Sequence, residues 1–229
     1  MSVSRTLHHF PLDPASRQIR LALGEKRLAF TEVSVRYWER PRELTKMNPS
    51  GLVPVLVETH EGKVPLVLCE PRAILDHLEE TYAEPSLFGP DPHERAESRR
   101  LVTWFDKKFE YEAGGFILHE KIEKRLLHLG APDIGNLRQG RDALKTHLFM
   151  IDELLQAREW LAGKRLSLAD FAAAAHLSVI DYFGDVPWRD YPAAKTWYMK
   201  LKSRPCFRPL LMDRWTGLAP AGHYDDLDF

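Results

Sequence analysis

Met47-Asn48-Pro49-Ser50-Gly51-Leu52-Val53-Pro54-Val55-Leu56, followed by Glu70-Pro71-Arg72-Ala73-Ile74, is the stretch that decides the fold. Asn, Pro and Gly together specify a turn, because each supplies a backbone geometry that other residues resist. The turn runs into Val53-Pro54 and then into Val55 and Leu56, whose β-branched and apolar side chains suit a strand. About sixteen residues on, an acidic residue precedes a proline, and proline favours the first position of a helix.

Working outward, residues 5–10 read as a strand and 16–26 as a helix with Ile19, Leu21, Ala22 and Leu23 on its apolar face. Residues 30–35 alternate as a second strand, and 42–47 form a short helix behind Pro41. Residues 53–58 and 64–68 are two strands joined by a hairpin turn at His60-Glu61-Gly62-Lys63, and 71–82 is a helix with Ile74, Leu75 and Leu78 inward. The order β-α-β-α-β-β-α is that of a thioredoxin-like domain, which mixes parallel and antiparallel strands. Pro85, Gly89, Pro90 and Pro92 then punctuate a linker.

Everything beyond is read as helical. Residues 93–122 form one long helix, bent at Gly114-Gly115. Residues 137–160 form another, with Leu144, Leu148, Ile151, Leu154 and Leu155 facing the core. Ser167-Leu168-Ala169-Asp170 is a capping box, in which a Ser hydroxyl and an acid three residues on satisfy backbone N–H groups at a helix start. Leu166 and Phe171 flank it as a hydrophobic staple, and Asp170 reads as structural. The expected organisation is a domain over 1–84, a linker over 85–92, an all-α domain over 93–215 and a tail over 216–229.

Composition excludes several functions. A formal net charge of -1 over 229 residues argues against a nucleic-acid or membrane-surface protein. No run approaches the ~18 apolar residues that a membrane span needs. His8 and His9 interrupt the only short apolar stretch at the N-terminus, so no signal peptide is read. Cys69 and Cys206 lie too far apart for a redox or zinc motif and read as small apolar filler, giving the expectation of a reduced, cytoplasmic setting without a metal.

The turn, the Val-Pro and the acidic helix start, together with the later capping box, resemble the glutathione transferase family over nearly the whole chain. The resemblance implies a cis Val53-Pro54 bond, with the backbone of Val53 offered to the cysteinyl part of glutathione. It also implies that Glu70 meets the γ-glutamyl end. The family places a serine after that acid, where this chain has Pro71, which lacks both a hydroxyl and an N–H. The family's catalytic hydroxyl at the start of the first helix corresponds to Asp13 in Asp13-Pro14-Ala15-Ser16-Arg17. An ionised carboxylate donates no hydrogen bond and repels a thiolate. Ser16 is expected to cap that helix and is the alternative donor, with His8 or His9 as a further possibility. Two lost hydroxyls lead to the expectation that glutathione is not bound and that no cofactor is used.

Binding surfaces are read instead. Tyr37-Trp38 between Arg36 and Arg40 has the composition of an interface hot spot. A second candidate is the charged end of the long helix and the break behind it: His119, Glu120, Lys124, Arg125, Arg138 and Arg141. The third is the tail motif Asp225-Asp226-Leu227-Asp228-Phe229, an acidic peptide with apolar anchors. The opening Ser4 to Gln18, the Tyr37-Trp38 loop, Pro71 and the Phe-ended tail resemble a non-enzymatic, division-associated branch of the family. That resemblance implies a homodimer that binds polymers of the tubulin-like protein FtsZ at the division site and curves or bundles them, with a second partner for the tail. The alternative is a glutathione-dependent enzyme with an atypical site.

Overall fold

The structure is a computed structural model, and residues 3–228 are described. The chain divides into two compact units, 1–85 and 86–229.

The first unit carries β1 (Val3–His9), α1 (Pro14–Glu25), β2 (Thr31–Ser34), a 3-10 turn at Tyr37–Glu39, α2 (Arg42–Met47), β3 (Val55–His60), β4 (Leu66–Cys69) and α3 (Pro71–Thr81). The sheet order is β2-β1-β3-β4, with β1 parallel to β2 and the other pairs antiparallel. This is the expected mixed thioredoxin-like sheet. All four β2 residues are exposed, so this strand lies at an edge and does not bury alternate residues as its sequence suggests. Leu7, Ile19, Leu23, Val55, Leu56, Ile74 and Leu78 are fully buried and form the apolar core of the unit. Beside them Glu58, fully buried, accepts from Arg5 Nε at 2.8 Å and Tyr82 Oη at 3.2 Å and pairs with His77 Nε2 at 2.8 Å. Burial pushes its carboxyl up, yet the His77 and Arg5 bonds prevail and hold it below the usual carboxylate range.

The second unit is helical. Its first run comprises α4 (Pro92–Thr103), a π-helical stretch Trp104–Gly114, α5 (Gly115–Leu118), a second π stretch His119–Glu123 and α6 (Lys124–Leu126). Asp91 caps it, accepting from His93 and Glu94 N–H. The expected bend at the paired glycines is therefore a widened helix. A Cβ at Gly115 would lie 2.8 Å from the Glu110 carbonyl, and one at Gly114 would lie 2.6 Å from the Glu110 carboxylate. At Gly115, where the neighbour is backbone, only glycine admits that close approach, whereas at Gly114 the Glu110 side chain can move aside. The widened turn sets Asp106 and Glu110 together against His176, at 3.5 and 3.3 Å. Burial disfavours the charged imidazole, but the two carboxylates prevail and raise its pKa to about 9.

α7 (Ile134–Ala157), α8 (Leu168–Tyr182), α9 (Pro192–Lys202) and α10 (Arg208–Leu211) complete the unit. Every residue of α8 is buried, and its Ala172-Ala173-Ala174-Ala175 run leaves room for neighbouring helices. The capping box forms as expected: Ser167 and Asp170 satisfy each other's backbone ends. Asp170 also accepts from Leu161 N–H and Trp197 Nε1, both at 2.9 Å, so it staples the connection before α8 to α9.

The segment after Trp215 packs back onto the helical domain. It was expected to leave the helical domain, but Leu218 and Tyr224 are buried within it. Tyr182 Oη donates to the Leu218 carbonyl at 2.6 Å, Ala221 N–H to the Tyr182 carbonyl at 2.7 Å, and Tyr224 Oη to the Leu210 carbonyl at 3.1 Å. Lys202 Nζ donates to the Asp226 carbonyl. The Tyr224 ring meets Tyr182 edge-on at 5.0 Å. Burying an aromatic body while satisfying its hydroxyl outweighs the Gly and Pro punctuation. Asp225, Asp226, Leu227 and Asp228 are exposed, and Phe229 lies outside the described residues.

Candidate functional site

Strand register brings four sequence motifs to one end of the sheet. His8 pairs with Val55, Val55 with Cys69, and His9 with Ser34. Hence the exit of β1 (Phe10–Asp13), the entry to β3 (Val53-Pro54), the exit of β4 (Glu70-Pro71) and the turn after β2 (Tyr37-Trp38) are neighbours. Val53-Pro54 is cis. Asn48 shapes the approach to it, donating to the Leu52 carbonyl at 3.0 Å and accepting from Ser50 N–H at 3.2 Å. Gly51 takes φ +74°, and a Cβ there would meet the Arg40 guanidinium at 3.4 Å. Glu70 is exposed and takes φ +71°, which for a non-glycine residue costs roughly 1–3 kcal/mol. It makes no side-chain cap, and Pro71 follows as the first residue of α3. Cys69 is half-buried and donates its thiol to the Met47 carbonyl at 3.3 Å, so it is more than filler.

The start of α1 differs from the expectation. Asp13, not Ser16, is the cap: its carboxylate accepts from Ser16 N–H at 2.7 Å. Ser16 is fully buried, and its Oγ accepts from Phe10 N–H at 3.3 Å. That hydroxyl is enclosed by the protein and engaged by the Phe10 backbone. The cap also places a fixed negative charge at the positive end of the helix dipole, where an incoming thiolate would otherwise be stabilised. His9 is buried with Nε2 3.1 Å from Glu32 Oε2, whereas His8 is half-buried. Trp38 is half-buried; its ring packs against Phe10 at 5.3 Å and Tyr37 at 5.4 Å.

In the helical unit the second cluster of candidates separates into two roles. Glu120 is buried and structural: it accepts from Asp133 N–H at 2.7 Å and Asn136 Nδ2 at 2.8 Å, and it pairs with Lys124 at 2.7 Å. Burial pushes its carboxyl up, but these three donors prevail and bring its pKa to about 2. Glu120 and Lys124 therefore hold the 127–133 loop and offer little to a partner. His119 pairs with Glu123 at 2.7 Å on the surface. Arg125 is exposed and lines a cleft of about 810 Å³ with Phe183, Arg214 and Trp215, residues the sequence reading did not single out. Arg138 and Arg141 line a different hollow of about 670 Å³, where Arg141 donates twice to Asp185. Linear order had grouped side chains that the α7 start separates. No group of three or more His, Cys, Asp or Glu among the described residues could hold a metal ion. No helix there is long and apolar enough to cross a membrane.

The glutathione S-transferase N-terminal domain model matches residues 7–86, and the C-terminal domain model matches residues 137–205. FtsZ-localized protein A of Caulobacter vibrioides (strain NA1000 / CB15N) is 73% identical over 229 residues, all of both chains. The chain belongs to the glutathione S-transferase family. Within that family, the solved structure of FzlA from C. crescentus is 72% identical, with a TM-score of 0.97 over 99% of this chain and 100% of that one. A glutathione S-transferase from Rhodospirillum rubrum F11 is 49% identical, with a TM-score of 0.94 over 98% of this chain and 100% of that one. The N-terminal half of the family's fold is thus present here over residues 7–86, with Asp13 capping α1 and Pro71 opening α3.

Proposed function

We propose that this chain is a non-enzymatic member of the glutathione S-transferase family that binds FtsZ polymers and curves or bundles them to promote constriction. The observation that carries the reading is full-length 73% identity to a protein named for its localisation with FtsZ. The capped start of α1 supports it: Asp13 occupies the family's hydroxyl position with a charge that opposes a thiolate. Pro71 removes a second donor. Glutathione is neither bound nor turned over in this reading, and no cofactor is used.

The chain acts as a two-fold homodimer in the cytoplasm at the division site. A two-fold dimer carries two copies of any partner surface and bridges neighbouring filaments through effective concentration. The Tyr37-Trp38 surface is the leading contact, because Trp38 keeps part of its ring exposed in an arginine-flanked turn. Co-pelleting of the purified protein with assembled FtsZ tests this, with light scattering for the dimer. A protein that stays in the supernatant at micromolar concentrations defeats the proposal.

The alternative is a glutathione-dependent enzyme, favoured by the 49% identity to a protein titled a glutathione S-transferase. Retention on a glutathione resin, or a calorimetric dissociation constant below about a millimolar, decides for it.

A further inference from the structure

The cleft beside Arg125 is built differently from the sheet-end site and lies wholly within the helical unit. One wall is the end of the long helical run, which carries Lys121 and Arg125. A second is the loop at Gly130 and Pro132. The third is the Arg214–Pro220 segment, with Trp215 and Leu218, and Phe183 sits at the end of α8.

These walls are fixed. Trp215 and Leu218 form an isolated β-bridge, and Leu218 is tied to α8 through the Tyr182 hydroxyl. Glu120 pins the loop through Asp133 N–H and Asn136. The lining is largely aromatic and aliphatic, yet its ionic character is one-sided. Among the described residues Glu120 is its only carboxylate, and that charge is already met by Lys124 and two further donors.

Of the three cations, Lys121 pairs with Asp185 and stands 5.5 Å from the centre of the Phe183 ring. Arg125 is exposed, and its side chain makes no hydrogen bond or ion pair with any described residue. Arg214 makes a surface pair with Asp225 at 3.1 Å. Exposed pairs of that kind contribute little and exchange readily.

We propose that this cleft is a docking site for an acidic peptide segment of a partner protein that carries an aliphatic or aromatic side chain. A carboxylate meets the unpartnered Arg125 guanidinium, which suits a bidentate contact. The apolar side chain lies on Trp215, Phe183 and Leu218. The rim already shows the chemistry in miniature. Arg214 holds Asp225, which belongs to the acidic and apolar sequence Tyr224-Asp225-Asp226-Leu227. A basic or uncharged apolar segment leaves Arg125 unmatched. Nucleic acid is disfavoured by a chain whose formal charge is -1 and whose cleft offers no extended basic stripe. The inference does not depend on FtsZ binding and concerns the helical unit, whereas Trp38 belongs to the first unit.

The test uses the full chain and a fluorescein-labelled peptide, Asp-Asp-Leu-Asp-Phe, followed by fluorescence anisotropy at low and moderate salt. Saturable binding that weakens with salt is expected. Arg125→Glu should weaken it at least about tenfold, Arg125→Lys should weaken it less, and Trp215→Ala should weaken it with unchanged salt dependence. Arg125 is exposed, so its variants should melt as the parent does, and circular dichroism checks this. A peptide with Asn in place of each Asp should not bind. Equal binding of the Asn peptide, or undiminished binding to folded Arg125→Glu, overturns the proposal. So does loss of dimer mass in Arg125→Glu, since the occupant would then be a second copy of this chain.

Discussion

The Trp38 indole stands edge-on to the buried Phe10 ring, with 5.3 Å between centroids and 80° between planes. Phe10 is also the residue whose backbone closes the turn into α1, through Asp13 N–H to its carbonyl and its own N–H to Ser16. Trp38 thus rests on the turn into α1, and one side of that turn is aromatic packing.

Trp38→Ala should reduce FtsZ co-pelleting strongly while the fold survives. A hot-spot aromatic contributes about 2 kcal/mol or more to binding. Because the ring is only half-buried, the stability cost should fall below the 3–5 kcal/mol typical of a core Trp, at about 1–2 kcal/mol. Thermal melting and co-pelleting on one sample distinguish the two effects. A large fall in melting temperature with binding intact contradicts the assignment.

Asp13→Ala should destabilise the protein by about 1 kcal/mol, since the α1 cap is lost. Asp13→Ser should be nearly neutral, because serine caps well. Neither should create measurable thiol conjugation while Pro71 remains. Urea melts read the first effect, and a glutathione conjugation assay reads the second. Activity restored by Asp13→Ser alone argues that the scaffold still binds glutathione.

Removing residues 227–229 should leave the melting temperature and FtsZ co-pelleting nearly unchanged, since Leu227 and Asp228 are exposed. Tyr224→Ala should cost about 3–5 kcal/mol, as expected for a fully buried aromatic. If the short truncation melts as early as Tyr224→Ala, the tail belongs to the core to its end. Division in cells should still fail without those residues, if the acidic terminus serves its own partner.

Glu120 gives a pH signature. Its folded pKa, at about 2, lies below the ordinary 4.5. A depressed carboxyl stabilises the fold above the unfolded pKa, and that contribution fades as pH falls from about 4.5 toward about 2. Glu120→Gln should therefore melt well below the parent at neutral pH, and the gap should narrow on acidification toward roughly pH 3. A gap independent of pH would assign Glu120 a role in shape alone. His176 carries the opposite sign. Its pKa, raised to about 9, stabilises below about 6.5 and loses that contribution as pH rises through about 9.

The sequence by itself determined the architecture. The turn before Val53-Pro54, the two periodicities and the Ser167 capping box are local signals, set by dihedral preferences and by spacing along one element. It also set Asp13 before the first helix and Pro71 at the start of the third. The tertiary structure decided which groups are available. That Glu120 is a buried anchor and that Tyr224 belongs to the core depend on contacts between residues distant in sequence, and even the shorter Phe10–Ser16 bond forms only once the chain turns from β1 into α1. The cleft of Arg125, Arg214 and Trp215 arises the same way, from segments about ninety residues apart. Burial and charge pairing are properties of the packed chain, and no periodicity encodes them.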